Sequence, residues 1–166
     1  MRVLGIDCGS EFTGYGVVEM DRDGKLQFVA AGAVHAQARE PMPVRLNTIF
    51  KGLQQILSEY QPDEVAIEDV FYAINVKSAL KLGQVRGVAM LAASSAGLTV
   101  AEYAPLTIKA AVVGYGRAEK SQVQQMVTHL LRLEAPPESP DAADALAIAV
   151  CHIHTAATAL RQRVTR

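Results

Sequence analysis

The chain has 166 residues, of which 50% are hydrophobic and 20% charged, and a formal net charge of −1 at pH 7. This length and apolar content predict one domain with a full hydrophobic core and argue against a disordered chain. The N-terminus enters an apolar strand with no signal-peptide pattern, and the longest apolar stretch, residues 87–101, is too short to span a bilayer. We therefore expect a cytoplasmic protein with no membrane partner, in which Cys8 and Cys151 stay reduced.

The first part of the chain predicts an antiparallel meander of three strands. The apolar segments that indicate strands are residues 2–8, 14–20 and 26–34. Asp23 and Gly24, between the second and third segments, are typical of a tight hairpin turn. Consecutive strands joined in this way are expected to pair in chain order.

Helices and strands alternate through the rest of the chain. Apolar residues at helical spacing predict helices over residues 43–60, 78–96, 105–113 and 119–131, and a last helix with Ser139 as N-cap and Pro140 in its first turn. Two short strands are predicted over residues 65–68 and 98–103. This order predicts an α/β fold, a mixed sheet with helices on both faces. We place a single domain over residues 1–158 and a short basic tail over residues 159–166.

Four acidic residues interrupt segments that are otherwise apolar. Asp7 and Glu68 lie at the ends of two predicted strands, and Asp141 and Asp144 lie three residues apart in the first turns of the last helix. Carboxylates are rarely buried without a cation, and carboxylates that gather at one point raise one another's pKa values. Because Mg²⁺ prefers oxygen ligands and relieves that repulsion, the pattern predicts a two-metal phosphodiester hydrolase.

Basic residues are concentrated in the middle of the chain. Residues 70–132 carry seven basic side chains against two acidic ones, a local net charge of +5. A basic surface beside an acidic pocket is typical of a metal-dependent nuclease, because it attracts phosphates. The residues predicted to contact nucleic acid are Phe71, Tyr72, Lys77, Lys81, Arg86, Lys109, Arg117, Lys120 and Ser121. Lys109 and Lys120 are also suited to stabilising charge on the scissile phosphate.

Two patterns in the sequence have more than one interpretation. Residues 7–14 also match the phosphate loop of actin-like ATPases, although 166 residues leave no room for the second domain that those enzymes need. Gly83 and Gly87 lie four residues apart on one predicted helix. Such small residues either pack a helix closely against its own sheet or form a two-fold dimer interface.

Several motifs, in a fixed order, carry a resemblance to a known family. They are residues 5–10 with 13–17, then 66–71, 78–87, 113–123 and 141–148. Together they resemble the RuvC family of Holliday-junction resolvases, which has the RNase H-like fold. The resemblance implies a five-stranded mixed sheet, with three antiparallel N-terminal strands and two further parallel strands.

The resemblance also implies an activity and partners. A RuvC-like chain would be a crossover junction endodeoxyribonuclease acting in recombination and repair. It would work as a homodimer on four-way DNA junctions and nick two opposed strands symmetrically. The RuvA–RuvB branch-migration complex would be its partner.

Residue roles follow from the same resemblance. The ligands of two Mg²⁺ ions per subunit, with Mn²⁺ as a substitute, would be Asp7, Glu68, Asp141 and Asp144. The junction-stacking aromatic falls on Phe71, and the catalytic lysines fall on Lys109 and Lys120. Cys8 stands where many family members carry proline.

Two other functions stay open at the level of the sequence. One is a junction-binding module that has lost catalysis, against which the presence of all four acids argues. The other is a related nuclease that acts on structured RNA.

Overall fold

Ten secondary-structure elements follow one another in the computed structural model, which describes residues 1–69 and 75–164. The strands are β1 (Arg2–Asp7), β2 (Phe12–Met20), β3 (Leu26–His35), β4 (Glu64–Glu68) and β5 (Val100–Tyr103). The helices are α1 (Met42–Tyr60), α2 (Val76–Ser95), α3 (Pro105–Val113), α4 (Lys120–Leu130) and α5 (Pro140–Val164).

The strands form one mixed sheet in the order β3-β2-β1-β4-β5. The pairs β1–β2 and β2–β3 are antiparallel, whereas β1–β4 and β4–β5 are parallel. In the turn between β2 and β3, Asp21 Oδ1 accepts hydrogen bonds from the backbone N–H groups of Asp23 and Lys25, and Gly24 takes a φ of 78°. The predicted five-stranded mixed sheet is confirmed.

Helices cover the sheet on both sides, and each side has its own core. Val3 and Ala66 pack with α3, α4 and α5 on the side that we call the α5 face. Leu4, Ile6 and Ile67 pack with α1 and α2 on the other side, the α2 face. Because side chains alternate along a strand, neighbouring residues of β1, β4 and β5 point to opposite faces.

The last helix, α5, is the central element of the core. Its segment Pro140–Ala159 is long and apolar enough to cross a membrane by composition, but 61% of that window is buried inside the fold. His152 ties the helix to the sheet, with ring nitrogens 2.7 Å from Glu64 Oε2 and 2.9 Å from the Tyr103 hydroxyl oxygen. The helix runs through residue 158 to Val164, so the division at this point between domain and tail stays a prediction.

The starts of three elements differ by two residues from the predicted ones, for local reasons. The helix predicted from residue 78 begins at Val76, because the Asn75 side chain accepts a hydrogen bond from the Lys77 N–H. The strand predicted from residue 98 begins at Val100, because the Leu98 N–H still bonds the Ala93 carbonyl oxygen of α2. β2 begins two residues earlier than predicted, at Phe12, where pairing with β3 extends it.

Candidate active site

Asp7 and Glu68 lie side by side at the carboxyl ends of two parallel strands. β1 and β4 are neighbours in the sheet, and their register pairs Gly5 with Ala66 and Ile6 with Ile67. The residues that follow in this register are Asp7 and Glu68. Since Gly5 and Ala66 face α5, the alternation of side chains points both carboxylates toward that helix.

The first turns of α5 bring the other two carboxylates to the same place. Ser139 caps the helix, as predicted, with its Oγ accepting a hydrogen bond of 3.3 Å from the Ala142 N–H. Asp141 and Asp144 are both partly buried there, and both act electrostatically on Asp7. The structure therefore brings together the four acids that the sequence singles out.

Glycines on β1 and β2 permit this approach. A Cβ atom on Gly5 would lie 2.0 Å from the Ala145 carbonyl oxygen, and one on Gly14 would lie 2.1 Å from that of Asp141. The backbone of α5 thus rests directly on the sheet, with no room for side chains between them. No local signal in the sequence marks Gly5 and Gly14 for this role, although they lie in the motif of residues 5–10 and 13–17.

Arg45 of α1 supports the loop after Asp7 and could not be predicted from the sequence. It is buried, and its guanidinium donates a hydrogen bond to the Ser10 carbonyl oxygen in the loop that follows Asp7. No feature near Asp7 in the sequence points to it, since the contact joins residues 35 positions apart.

The carboxylates of the site repel one another. Burial, first, and then the charges of Asp144, Glu68 and Asp141 raise the pKa of Asp7 to about 7. Burial is also the main cause that raises the pKa of Glu68 and of Asp144. These carboxylates therefore resist carrying full negative charge together unless cations join them.

Among the described residues, Lys120 forms an ion pair with one of the four acids. Its Nζ lies 2.5 Å from Asp144 Oδ2, and this hydrogen bond raises the pKa of the ammonium group. The ion pair alone would lower the pKa of Asp144, yet the cost of burial outweighs it and the net direction is upward. One lysine is thus insufficient to neutralise the cluster.

A cavity of about 350 Å³ opens beside these groups. Its polar wall consists of Glu68, Asp144, Lys109 and Lys120, which places both predicted lysines at the site. The rest of the lining is apolar and comes from α3, α4 and α5: Pro105, Ile108, Val123, Ala147 and Ile148.

The chemistry of the donor set fits a hard divalent cation. All four side chains offer carboxylate oxygens, which Mg²⁺ prefers, and the raised pKa values of Asp7, Glu68 and Asp144 indicate that the site lacks positive charge. Within residues 1–69 and 75–164, no three acidic, histidine or cysteine side chains meet closely enough to hold one ion as they stand. Instead, the Lys120 ammonium pairs with Asp144.

Comparison with known proteins identifies the family. The family model described as crossover junction endodeoxyribonuclease RuvC matches residues 3–152. The chain belongs to the RuvC family. This confirms the resemblance seen in the sequence and the predicted class of enzyme, a nuclease.

Individual RuvC proteins agree with this assignment. The chain is 62% identical over 161 residues to the crossover junction endodeoxyribonuclease RuvC of Koribacter versatilis, covering 97% of each sequence. The Thermus thermophilus RuvC structure matches with a TM-score of 0.88 and 34% identity, over 96% of this chain and 97% of that one. T. thermophilus RuvC in complex with Holliday junction substrate gives a TM-score of 0.90, at 34% identity and 96% coverage of both chains.

The other residues predicted to contact DNA occupy different environments. Lys77, Lys81, Arg117 and Ser121 are exposed, whereas Arg86 is not free and pairs with Asp69 and Glu102. Two further predicted contacts, Phe71 and Tyr72, lie outside the described residues. The fold does not test any of these predicted contacts with DNA, so all of them stay predictions.

Three further residues of the sequence motifs, Cys8, Gly83 and Gly87, can be placed. Burial and the charge of Asp7 raise the pKa of the Cys8 thiol to about 12, which argues against a reactive thiolate. A Cβ built on Gly83 or Gly87 meets no atom of the described residues within 4 Å. The interpretation that these glycines pack α2 against its own sheet is therefore wrong.

Proposed function

We propose that this RuvC-family chain resolves four-way DNA junctions by hydrolysing one phosphodiester bond in each of two opposed strands. The observation that carries the proposal is the convergence of Asp7, Glu68, Asp141 and Asp144 at one edge of the sheet. Buried, mutually repelling carboxylates next to lysines suit the binding of cations and of a phosphate group. The proposed setting is recombination and repair in the cytoplasm.

Magnesium is the cofactor that we propose, as two ions per subunit, with Mn²⁺ as a substitute. Asp7, Glu68, Asp141 and Asp144 would hold the ions, and Asp7 is suited to be shared because the other three all act on it electrostatically. When bound, the ions would supply activation of the attacking water and stabilisation of the leaving oxygen.

The two lysines of the cavity act on the phosphate in this proposal. The Lys120 side chain is 59% exposed, so its ammonium is able to turn from Asp144 toward a phosphate that enters the cavity. Lys109 lines the same cavity from α3. Positive charge at this position stabilises the charge that develops on the phosphate oxygens during hydrolysis.

Binding of the junction would rest on a wider surface than the cavity. The exposed side chains of Lys77, Lys81, Arg117 and Ser121 contact phosphates in our proposal. Phe71, with Tyr72 beside it, stacks on a base at the opened junction. These groups give affinity without taking part in hydrolysis.

We propose a homodimer for two reasons: two DNA strands must be cut, and one face of α2 is apolar and exposed. Val76, Leu80 and Leu91 are 76%, 66% and 57% exposed. With Gly83 and Gly87 they recur at helical spacing on a single face of α2, against which no described residue packs. An apolar face with small residues at its centre suits close approach of a second copy. The dimer would receive junctions from the RuvA–RuvB complex.

The dimer has a direct test. Leu80→Glu places a charge at the centre of this face and should convert the dimer into a monomer in analytical ultracentrifugation. Phe28→Glu, at an exposed phenylalanine on the far edge strand β3, is the matched control and should leave the dimer intact. A dimer that persists in Leu80→Glu would exclude this face.

The function is tested with a synthetic immobile four-way junction and a linear duplex of the same sequence. Paired, symmetric nicks in the junction alone, with Mg²⁺ and not with EDTA, are expected. Asn in place of any of the four acids should abolish cleavage and spare binding, because binding rests on the basic surface and the dimer. Binding without nicks in either Mg²⁺ or Mn²⁺ would indicate a module without catalysis. Cleavage of structured RNA in preference to the DNA junction would redirect the proposal to an RNA substrate.

A further inference from the structure

Arg86 lies on the opposite side of the sheet from the four carboxylates. It belongs to α2, its side chain is only 15% exposed, and its Nη2 lies 3.2 Å from Asp69 Oδ1. The same nitrogen also pairs with the Glu102 carboxylate of β5. This position differs from that of a free basic side chain on a DNA-binding surface.

The partners of Arg86 are sequence neighbours of residues on the active-site side. Asp69 directly follows Glu68, and Glu102 directly precedes Tyr103, whose backbone is paired with that of Glu68. Because side chains alternate along a strand, Asp69 and Glu102 point to the α2 face while Glu68 points to the α5 face. The Arg86 guanidinium therefore links the ends of β4 and β5 on the α2 face, opposite the active site.

Arg86 also lies close to the end of β1. Cys8, which directly follows Asp7, packs on the α2 face. The positive charge of Arg86 acts electrostatically on the Cys8 side chain there. Arg86 therefore lies near the ends of β1, β4 and β5. Two of these strands, β1 and β4, carry the active-site acids Asp7 and Glu68.

The chain after Glu68 is fixed at two points. The Asp69 N–H donates a hydrogen bond of 2.8 Å to the Tyr103 carbonyl oxygen, and the Asp69 side chain pairs with Arg86. Meanwhile Arg86 Nε is buried and has no hydrogen-bond partner among the described residues. The contacts of Nη2 with Asp69 and Glu102 are therefore what link Arg86 to the strand ends.

We propose that Arg86 is a positioning residue, which clamps the chain directly after Glu68 to β5 and thereby fixes the Glu68 carboxylate at the active site. This inference rests on the proposed function and replaces the prediction that Arg86 contacts DNA. A displacement of about 1 Å at a catalytic group is enough to slow a reaction substantially.

Three variants of the full chain separate positioning from phosphate contact: Arg86→Gln, Glu102→Gln and the control Arg22→Gln. Arg22 is exposed in the turn between β2 and β3, at the end of the sheet away from Asp7. Arg86→Gln should lower the single-turnover cleavage rate at saturating junction about ten- to hundredfold. Its junction affinity in EDTA should keep the salt dependence of the unaltered chain, and the Mg²⁺ concentration for half-maximal thermal stabilisation should rise several-fold.

Glu102→Gln gives opposite results under the two interpretations. If Arg86 positions Glu68, loss of this partner loosens the clamp and lowers the cleavage rate. If Arg86 contacts phosphate, loss of the competing acid frees the guanidinium, so binding tightens and cleavage does not fall. The Glu102 side chain is 43% exposed, so this variant stays informative even if Arg86→Gln fails to fold.

Two results would overturn the proposal. The first is an unchanged cleavage rate in Glu102→Gln together with tighter junction binding. The second is a slope of log Kd against log salt that falls by about 0.9 in Arg86→Gln, as expected for one lost phosphate contact. Asp144→Asn in the same assay tests the proposed function separately, because full activity of that variant would refute the carboxylate site whatever the Arg86 variants do.

Discussion

Replacing Asp7 with asparagine should stabilise the protein without metal and at the same time abolish its cleavage activity. Folding raises the pKa of Asp7 from 3.8 to about 7, because the carboxyl is buried and lies near Asp144, Glu68 and Asp141. That rise of roughly 3 units, at 1.36 kcal/mol per unit, amounts to about 4 kcal/mol against the folded state once Asp7 is ionised. Asparagine removes this cost because it carries no charge.

The upward direction of the Asp7 pKa shift determines the pH range in which Asp7→Asn stabilises the folded chain. Below pH 3.8 Asp7 is protonated in both the folded and the unfolded chain, so it costs nothing. Between pH 3.8 and about 7 the unfolded chain loses this proton first, and stability falls as the pH rises. The advantage of Asp7→Asn should therefore grow over this range and level off above pH 7.

Thermal unfolding in EDTA at pH 5, 6, 7 and 8 measures the effect. For a chain of this length 1 kcal/mol corresponds to about 2–4 °C, so Asp7→Asn should raise the Tm at pH 8 by roughly 10 °C. Asp23→Asn, in the exposed turn between β2 and β3, is the matched control and should not change the pH profile. A Tm at pH 8 equal to or below that of the unaltered chain would refute the electrostatic reasoning.

Three further predictions concern Lys120, Phe71 and Gly14. Lys120→Met removes the ammonium group that lies 2.5 Å from Asp144 and should lower the single-turnover cleavage rate about 10²-fold. The same change at exposed Lys51 of α1 is the control, and equal rates for the two variants would count against a catalytic lysine. Phe71→Ala should reduce junction cleavage more than Mg²⁺ binding, and junction cleavage at the normal rate would remove its stacking role. Gly14→Ala would place a Cβ 2.1 Å from the Asp141 carbonyl oxygen, so urea unfolding should show a loss of about 1–3 kcal/mol in the free energy of unfolding.

Local patterns allowed the elements of the fold to be predicted from the sequence. Apolar runs and helical spacing depend on neighbours in the chain, so the meander, the helices and the Ser139 cap follow from sequence alone. Element ends shifted by one or two residues where a contact such as the Asn75 cap decided them. The position of Asp7 and Glu68 at strand ends was predictable for the same reason, since an acid after an apolar strand is a local signal.

The sequence by itself thus determined which residues are acidic, apolar or small, and which elements carry them. Only the tertiary structure decided which of them meet. Lys120 pairs with an acid 24 positions away, Arg86 pairs with Glu102 behind the sheet, and Gly14 admits the backbone of α5. These contacts join residues far apart in the chain, and no local propensity encodes them, because they arise only when strands and helices pack. That packing gathers the four separate acids into one candidate active site.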